Sequence, residues 1–124
     1  MNDPNPKETG TMITRVPDGP TRAESVAFDR LVFTVAVADD NRKPMYEQSV
    51  EALATIDRNL VALGSHKSRI LTAVVYIADM ARKPEMNRAW DEWADRANPP
   101  MRACLGVALT GNDLVEILIT AAKA

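Results

Sequence analysis

The hydrophobic pattern changes period several times along the chain, and each change marks an element. Ser25-Val26-Ala27-Phe28 and Leu31-Val32-Phe33-Thr34-Val35-Ala36-Val37-Ala38 are β-prone runs, and the two residues between them, Asp29-Arg30, predict a tight hairpin. The second run is apolar on both faces, so both faces should be covered. Beyond Pro44 the spacing becomes helical, with Val50, Leu53, Ile56, Leu60 and Leu63 on one stripe. Pro44 opens this helix and Gly64 is its expected C′ residue. Glu47, Glu51, Asp57 and Arg58 fall largely off the stripe and should meet solvent. The polar loop Ser65-His66-Lys67-Ser68 leads to a strand over residues 70–78, where Leu71, Ala73, Val75 and Ile77 share one face and Thr72, Val74 and Tyr76 the other. A second helix opens at Pro84 and runs to about residue 97, with Met86, Ala89, Trp90, Trp93 and Ala97 on its apolar face, until Asn98-Pro99-Pro100 stops it. Two strands, 102–109 and 114–121, finish the chain as an expected hairpin, with Thr110-Gly111-Asn112-Asp113 as its turn.

The predicted order is ββαβαββ, an α+β domain over residues 21–124. Residues 1–20, rich in Pro, Asn, Asp, Gly and Thr, form an expected flexible arm with one short extended piece at 12–16. Two helices can cover only one face of the sheet. The run 31–38 and the last two strands offer apolar side chains on both faces, so the uncovered face needs another surface. In a chain of 124 residues the expected source is a second subunit, which predicts a homo-oligomer.

Composition narrows the function classes. The net charge is −2 and no long basic run occurs, so the footprint of a dedicated nucleic-acid binder is missing. The single cysteine excludes an internal disulfide, and one cysteine with one histidine cannot build a Cys/His zinc site within one chain. No metal is expected. Neither a charged-then-apolar leader nor an apolar run of membrane-spanning length appears, so the expectation is a soluble, cytoplasmic protein with no membrane partner. No phosphate-binding glycine loop, dinucleotide fingerprint or paired-metal motif is present.

The stretch Pro99-Pro100-Met101-Arg102-Ala103-Cys104-Leu105-Gly106-Val107-Ala108-Leu109 carries the candidate chemistry. It sets one arginine at the mouth of an apolar strand. A guanidinium stays charged at any working pH, so it needs an anionic partner or water. A small carboxylate would satisfy it in a planar, two-toothed grip; the other reading is a strand-end arginine reaching solvent. Alternation puts Arg102, Cys104, Gly106 and Ala108 on one face, where small neighbours leave room for a ligand. Cys104 reads either as a packed small hydrophobe or as a nucleophile, with no basic partner following it in sequence. Glu116 interrupts the last strand and either faces solvent, pairs with a cation or serves as an acid/base group. If the final hairpin closes without a bulge, Glu116 and Arg102 lie on opposite sheet faces. Asn87 reads as a local polar residue in the first turn of its helix, Trp90 and Trp93 as packing residues, His66 as a loop residue, and Lys67 and Arg69 as solvated loop charges.

Taken in order, Gly64-Ser65-His66-Lys67-Ser68-Arg69-Ile70-Leu71, Val75-Tyr76-Ile77-Ala78-Asp79-Met80, Met86-Asn87-Arg88-Ala89-Trp90, Pro100-Met101-Arg102-Ala103-Cys104 and Val115-Glu116-Ile117 resemble the Rid family (YjgF/YER057c/UK114), the enamine/imine deaminases. Ala78-Asp79-Met80 and Trp90-Asp91-Glu92-Trp93 look most like its YoaB-related branch. The resemblance implies a chorismate-mutase-like fold, with one mixed sheet covered on one face by two helices, assembled as a homotrimer with ligand clefts between subunits. It implies hydrolysis of a 2-imino acid, or its enamine tautomer, to a 2-keto acid and ammonia without a cofactor. Arg102 then grips the substrate carboxylate, Cys104 and Asn87 contribute to binding, and Glu116 stands near the attacking water. An iminium carbon is already electrophilic, so positioning of the water matters more than a strong nucleophile.

The first half departs from the family pattern. The usual Gly-Gln pair, preceded by Ser or Ala, corresponds to Val35-Ala36 after Thr34, so Thr34 and Val35 join the expected pocket. A branched side chain stands where glycine lets backbone approach the ligand. The tyrosine common in the N-terminal loop of the deaminase branch has no counterpart in Pro20-Thr21-Arg22-Ala23-Glu24. These departures motivate an alternative, a non-catalytic trimer binding a small carboxylate or a protein partner. Ribonuclease activity has been attached to some relatives; the acidic balance and the lack of a basic groove argue against it here.

Overall fold

A computed structural model describes residues 12–124; most of the expected N-terminal arm lies outside the described residues. The elements are β1 (Ile13–Pro17), β2 (Ala23–Phe28), β3 (Leu31–Val37), α1 (Met45–Ala62), β4 (Ile70–Ile77), α2 (Lys83–Trp93), β5 (Met101–Gly106) and β6 (Val115–Ala122), with short 3-10 helices at Lys67–Arg69 and Met80–Arg82. The extended piece expected at residues 12–16 is β1, antiparallel to β2. It occupies a ladder that β2 would otherwise leave open as an edge.

Local signals explain the element ends. Phe28 pairs with Leu31, so Asp29-Arg30 is the expected two-residue turn. Asp29 has φ 54, a left-handed conformation that aspartate tolerates better than most residues. α1 ends in a Schellman motif: Gly64 N–H donates to Val61 O at 3.1 Å and Ser65 N–H to Leu60 O at 2.8 Å, with Gly64 at φ +83. α2 stops at Trp93, earlier than the expected residue 97. Asp95 causes this, because its carboxylate accepts from Ala97 N–H at 3.0 Å and Asn98 Nδ2 at 3.2 Å. Such local side-chain bonds compete with helical ones.

The buried face of α1 is Met45, Gln48, Ser49, Ala52, Leu53, Ile56 and Leu60. Val50, expected on this stripe, is instead 42% exposed. At 100° per residue, Ser49 and Ala52 lie nearer the direction of Ile56 than Val50 does, so small residues face the sheet.

The sheet has six strands in the order β1-β2-β3-β6-β4-β5, and it is mixed, with β4 and β5 parallel and the other pairs antiparallel. The expected β5–β6 hairpin does not form. The turn itself is present, with Asp113 N–H bonded to Thr110 O at 3.1 Å and Gly111 at φ 57. It carries the chain across the end of β4, where Val107 N–H meets Ile77 O and Ala78 N–H meets Leu114 O, both at 3.0 Å. β6 thereby inserts between β3 and β4 and fills backbone ladders on both sides, whereas pairing with β5 alone would leave one side open.

Both helices lie on one face. Val32, Ala36, Ala73, Val75, Ile77, Val115, Ile117, Ile119 and Ala121 are buried beneath them. Alternation turns Phe33, Val35, Leu118, Val74, Tyr76 and Leu105 to the other face, which no element among the described residues covers. This matches the expected architecture of one mixed sheet with helices on a single side.

Candidate functional site

Arg102 enters from β5, an edge strand whose parallel register pairs it with Ala73. Its side chain therefore projects to the helix side, and it is half-buried there against α2. Nη2 donates to Asn87 Oδ1 at 2.8 Å, and Nη1 lies 3.8 Å from Met86 Sδ. The guanidinium carbon is 5.3 Å from the centre of the Trp90 ring. All three partners come from one stretch of α2, because residues three and four apart share a helix face. All three are neutral, and among the described residues no carboxylate forms an ion pair with Arg102. A guanidinium carries five N–H donors, so hydrogens remain for an incoming anion.

Cys104, two residues along β5 and paired with Val75, shares this face and packs against the core cluster. Gly106 follows, and a Cβ built there would sit 2.6 Å from Met80 Cγ. Glycine thus lets the Met80–Arg82 turn close onto the strand. Asn87, Arg102 and Cys104 are the expected residues that come together.

Glu116 does not join them within one chain. It is paired with Val37 on one side and Tyr76 on the other, on the uncovered face. It lies on the face opposite Arg102; the hairpin on which that expectation rests does not form, and β4 sets the parity instead. Val35 lies on the same face as Glu116, opposite Leu118. Thr34 points the other way and is 2% exposed. Its hydroxyl donates to Glu24 O at 3.1 Å, accepts from Asn59 Nδ2 at 3.0 Å and lies 2.8 Å from Ser25 Oγ. Its hydrogen-bonding capacity is committed within the fold.

Two depressions open elsewhere on the surface. One, of about 320 Å³, is lined by Ser68, Arg69, Asn98 and Pro99 among others. The other, of about 530 Å³, is lined by Arg42, Lys43 and the 111–114 turn among others. Cations of the second are already paired, Arg42 with Asp40 and Lys43 with Glu51. Hydrogen bonds from the Arg42 side chain and backbone hold Asp40 down at about 2. The hydrogen bond from Lys43 likewise lowers Glu51. Neither depression reaches Arg102. Lys67, expected to be solvated, donates to Trp93 O at 2.7 Å, and Arg69 Nε to Lys123 O at 2.9 Å. His66 keeps a local role, its Nδ1 accepting from Ser68 N–H at 3.1 Å. Trp90 and Met86, read from sequence as packing residues, prove to be neighbours of the guanidinium. Their i, i+4 spacing around Asn87 was the available signal.

Among the described residues no group of three or more His, Cys, Asp or Glu could hold a metal ion, and no helix is long and apolar enough to cross a membrane. Comparison with known proteins adds the family. Residues 25–123 match the family model described as Endoribonuclease L-PSP. A RutC family protein of Haemophilus ducreyi is 45% identical over 114 residues, covering 90% of this chain and 97% of that protein. The RutC family protein YoaB of Escherichia coli strain K12 is 33% identical over 101 residues, covering 81% of this chain and 89% of its own. A crystal structure of a YjgF-family member from Neisseria meningitidis matches with a TM-score of 0.87 at 36% identity, over 93% of this chain and 98% of that one. The chain belongs to this family, known by the names YjgF, RutC and Rid, and to its YoaB-like members.

Proposed function

We propose that this protein hydrolyses a small 2-imino or enamine carboxylic acid to the 2-keto acid and ammonia, in a cleft between subunits of a homotrimer. The observation that carries the reading is the Arg102 guanidinium, oriented by the neutral groups Asn87, Met86 and Trp90 and left with no acid of its own among the described residues. A substrate carboxylate is the natural counter-ion for such a fork. With the carboxylate held, water adds to the C=N carbon: a C–O bond forms, the π pair of the C=N bond passes to nitrogen, and a carbinolamine results. Protonated, that nitrogen leaves as ammonia when the carbonyl closes. Glu116 orders the water and relays its proton, while Cys104 and Asn87 line the binding site and Val35 shapes its far wall. Thr34 acts from beneath, holding β3 in place through its buried hydroxyl. Arg102 and Glu116 lie on opposite faces of one sheet, so a shared cleft requires a second subunit. The uncovered apolar face supports that assembly: Phe33, Leu105 and Leu118 are each more than a third exposed.

A second reading is favoured by one observation, the Val35-Ala36 pair in place of Gly-Gln: the trimer binds a small carboxylate without turning it over. The name endoribonuclease fits less well, since the chain carries a net charge of −2. The test is ammonia release from 2-iminopropanoate generated in place by an amino-acid oxidase. Arg102→Ala should lower the rate by about a hundredfold, the scale of a lost charge-assisted pair. Equal rates for wild type and variant defeat the role of Arg102. Pyruvate binding with no turnover of any imine in a panel selects the second reading.

A further inference from the structure

Arg102 carries its charge at the end of a long, flexible side chain, and among the described residues the groups that hold it are uncharged. The amide oxygen of Asn87 takes one Nη2 hydrogen at 2.8 Å. The Met86 sulfur lies 3.8 Å from Nη1. The Trp90 ring flanks the guanidinium carbon at 5.3 Å. Trp90 is itself fixed: it is 7% exposed and its ring centre stands 5.3 Å from that of Trp93. Trp93 in turn donates its Nε1 hydrogen to Asp57 Oδ2 of α1 at 3.0 Å. A chain of contacts thus runs from α1 through two indoles to the guanidinium.

We infer that Trp90 is a positioning residue for carboxylate recognition: its ring holds the Arg102 guanidinium in the binding orientation by a cation–π contact that leaves the charge uncancelled. An acidic partner would orient the fork equally well, but it would also compete with the ligand. An aromatic face avoids that conflict, because it attracts the cation through a quadrupole while the N–H edges stay free for a carboxylate. Ordering the arginine before the ligand arrives removes an entropic cost from binding. The inference rests on the reading of Arg102 as a carboxylate grip, and the test separates the two.

Pyruvate, the keto acid formed from 2-iminopropanoate, serves as the probe. Its affinity is measured calorimetrically for wild type, Arg102→Ala, Trp90→Phe and Trp90→Leu, each at full assembly with thermal melts as the folding control. Loss of the aromatic face in Trp90→Leu should weaken pyruvate by about tenfold, and Trp90→Phe, which keeps a ring, should recover most of that loss. In parallel, the two indole N–H resonances of the 15N-labelled protein are followed during titration. The Trp90 resonance should move with the same Kd as the calorimetry and further than that of Trp93, and in Arg102→Ala it should stay still. Wild-type affinity in Trp90→Leu with binding lost in Arg102→Ala overturns the role of Trp90 and leaves the carboxylate grip standing. Wild-type affinity in Arg102→Ala overturns the grip and this inference with it. Should Trp90→Leu fail to fold, a Trp90 resonance that stays still at saturating pyruvate in the wild type overturns the inference alone.

Discussion

Gln48 is the residue on which the end of the sheet nearest the two long loops depends. It is fully buried, which for an amide is tolerable only if both of its ends are bonded. Nε2 shares its two hydrogens among Asn41 O at 3.1 Å, Lys43 O at 2.9 Å and Asn112 O at 3.2 Å, and Oε1 accepts from Leu114 N–H at 2.9 Å. One side chain therefore fastens the loop before α1 to the loop before β6. Gln48→Leu keeps the volume but strands several backbone groups without partners. It should cost about 3 kcal/mol, since each buried unsatisfied group costs about 1–3 kcal/mol. Urea unfolding of wild type and variant reads the difference. A loss below about 1 kcal/mol would mean that solvent reaches these groups and that Gln48 fastens nothing. Nothing in the sequence alone distinguishes this glutamine from a surface one, because its role depends on two loops separated by the whole of α1, β4, α2 and β5.

At the scale of elements, the helices were legible because their signals are local. Gly64 shows this. Nothing lies within 4 Å of a Cβ built on it, so Gly64→Ala meets no clash, yet φ is +83, where an alanine is strained. The substitution should destabilise by about 1 kcal/mol with no change in assembly, and Gly64→Asn by less, as thermal melts would record. An unchanged melting temperature in Gly64→Ala would show that the helix end re-forms without the left-handed residue. Strand neighbours were less legible. Thr110-Gly111-Asn112-Asp113 does turn the chain, but a turn signal fixes a local reversal and not which strand lies next door. β6 went to the centre because its alternating residues Val115, Ile117, Ile119 and Ala121 can all be buried there. The candidate site was legible to the same degree. Alternation along one strand was readable, but the opposite faces of Arg102 and Glu116 are set by the register of β4 with β5 and β6, which no local pattern gives. Trp90 and Met86 were read as core, because apolar side chains at helical spacing look alike whether they pack on aliphatics or beside a cation.

For the whole molecule, the decisive feature is the asymmetry between the two faces of the sheet. On the helix side, side chains such as Val32, Val75 and Ile119 are wholly buried. On the other side Phe33, Leu105 and Leu118 are 38%, 46% and 42% exposed, on β3, β5 and β6, with Val74 and Tyr76 of β4 on the same face between the last two strands. Burying such side chains stabilises by about 25 cal/mol per Å², so a second copy covering this face gains substantially. Leu118 lies centrally, between Val35 on β3 and Val74 on β4. A glutamate there stays hydrated in an isolated chain but would be buried unpaired in an assembly, at a cost of several kcal/mol. Sedimentation of the wild type should give three times the 13.6 kDa chain mass, and Leu118→Glu should shift it toward the single chain while far-ultraviolet circular dichroism keeps the α+β signal. Val61→Glu, on the outer face of α1 at a residue 63% exposed, serves as the matched charge control and should leave the assembly intact. If the proposed cleft joins Arg102 and Glu116 across subunits, imine turnover in Leu118→Glu should fall together with the mass. A variant that sediments as the wild type would show that this face is not the interface, and turnover that survives in single chains would show that one subunit completes the site alone.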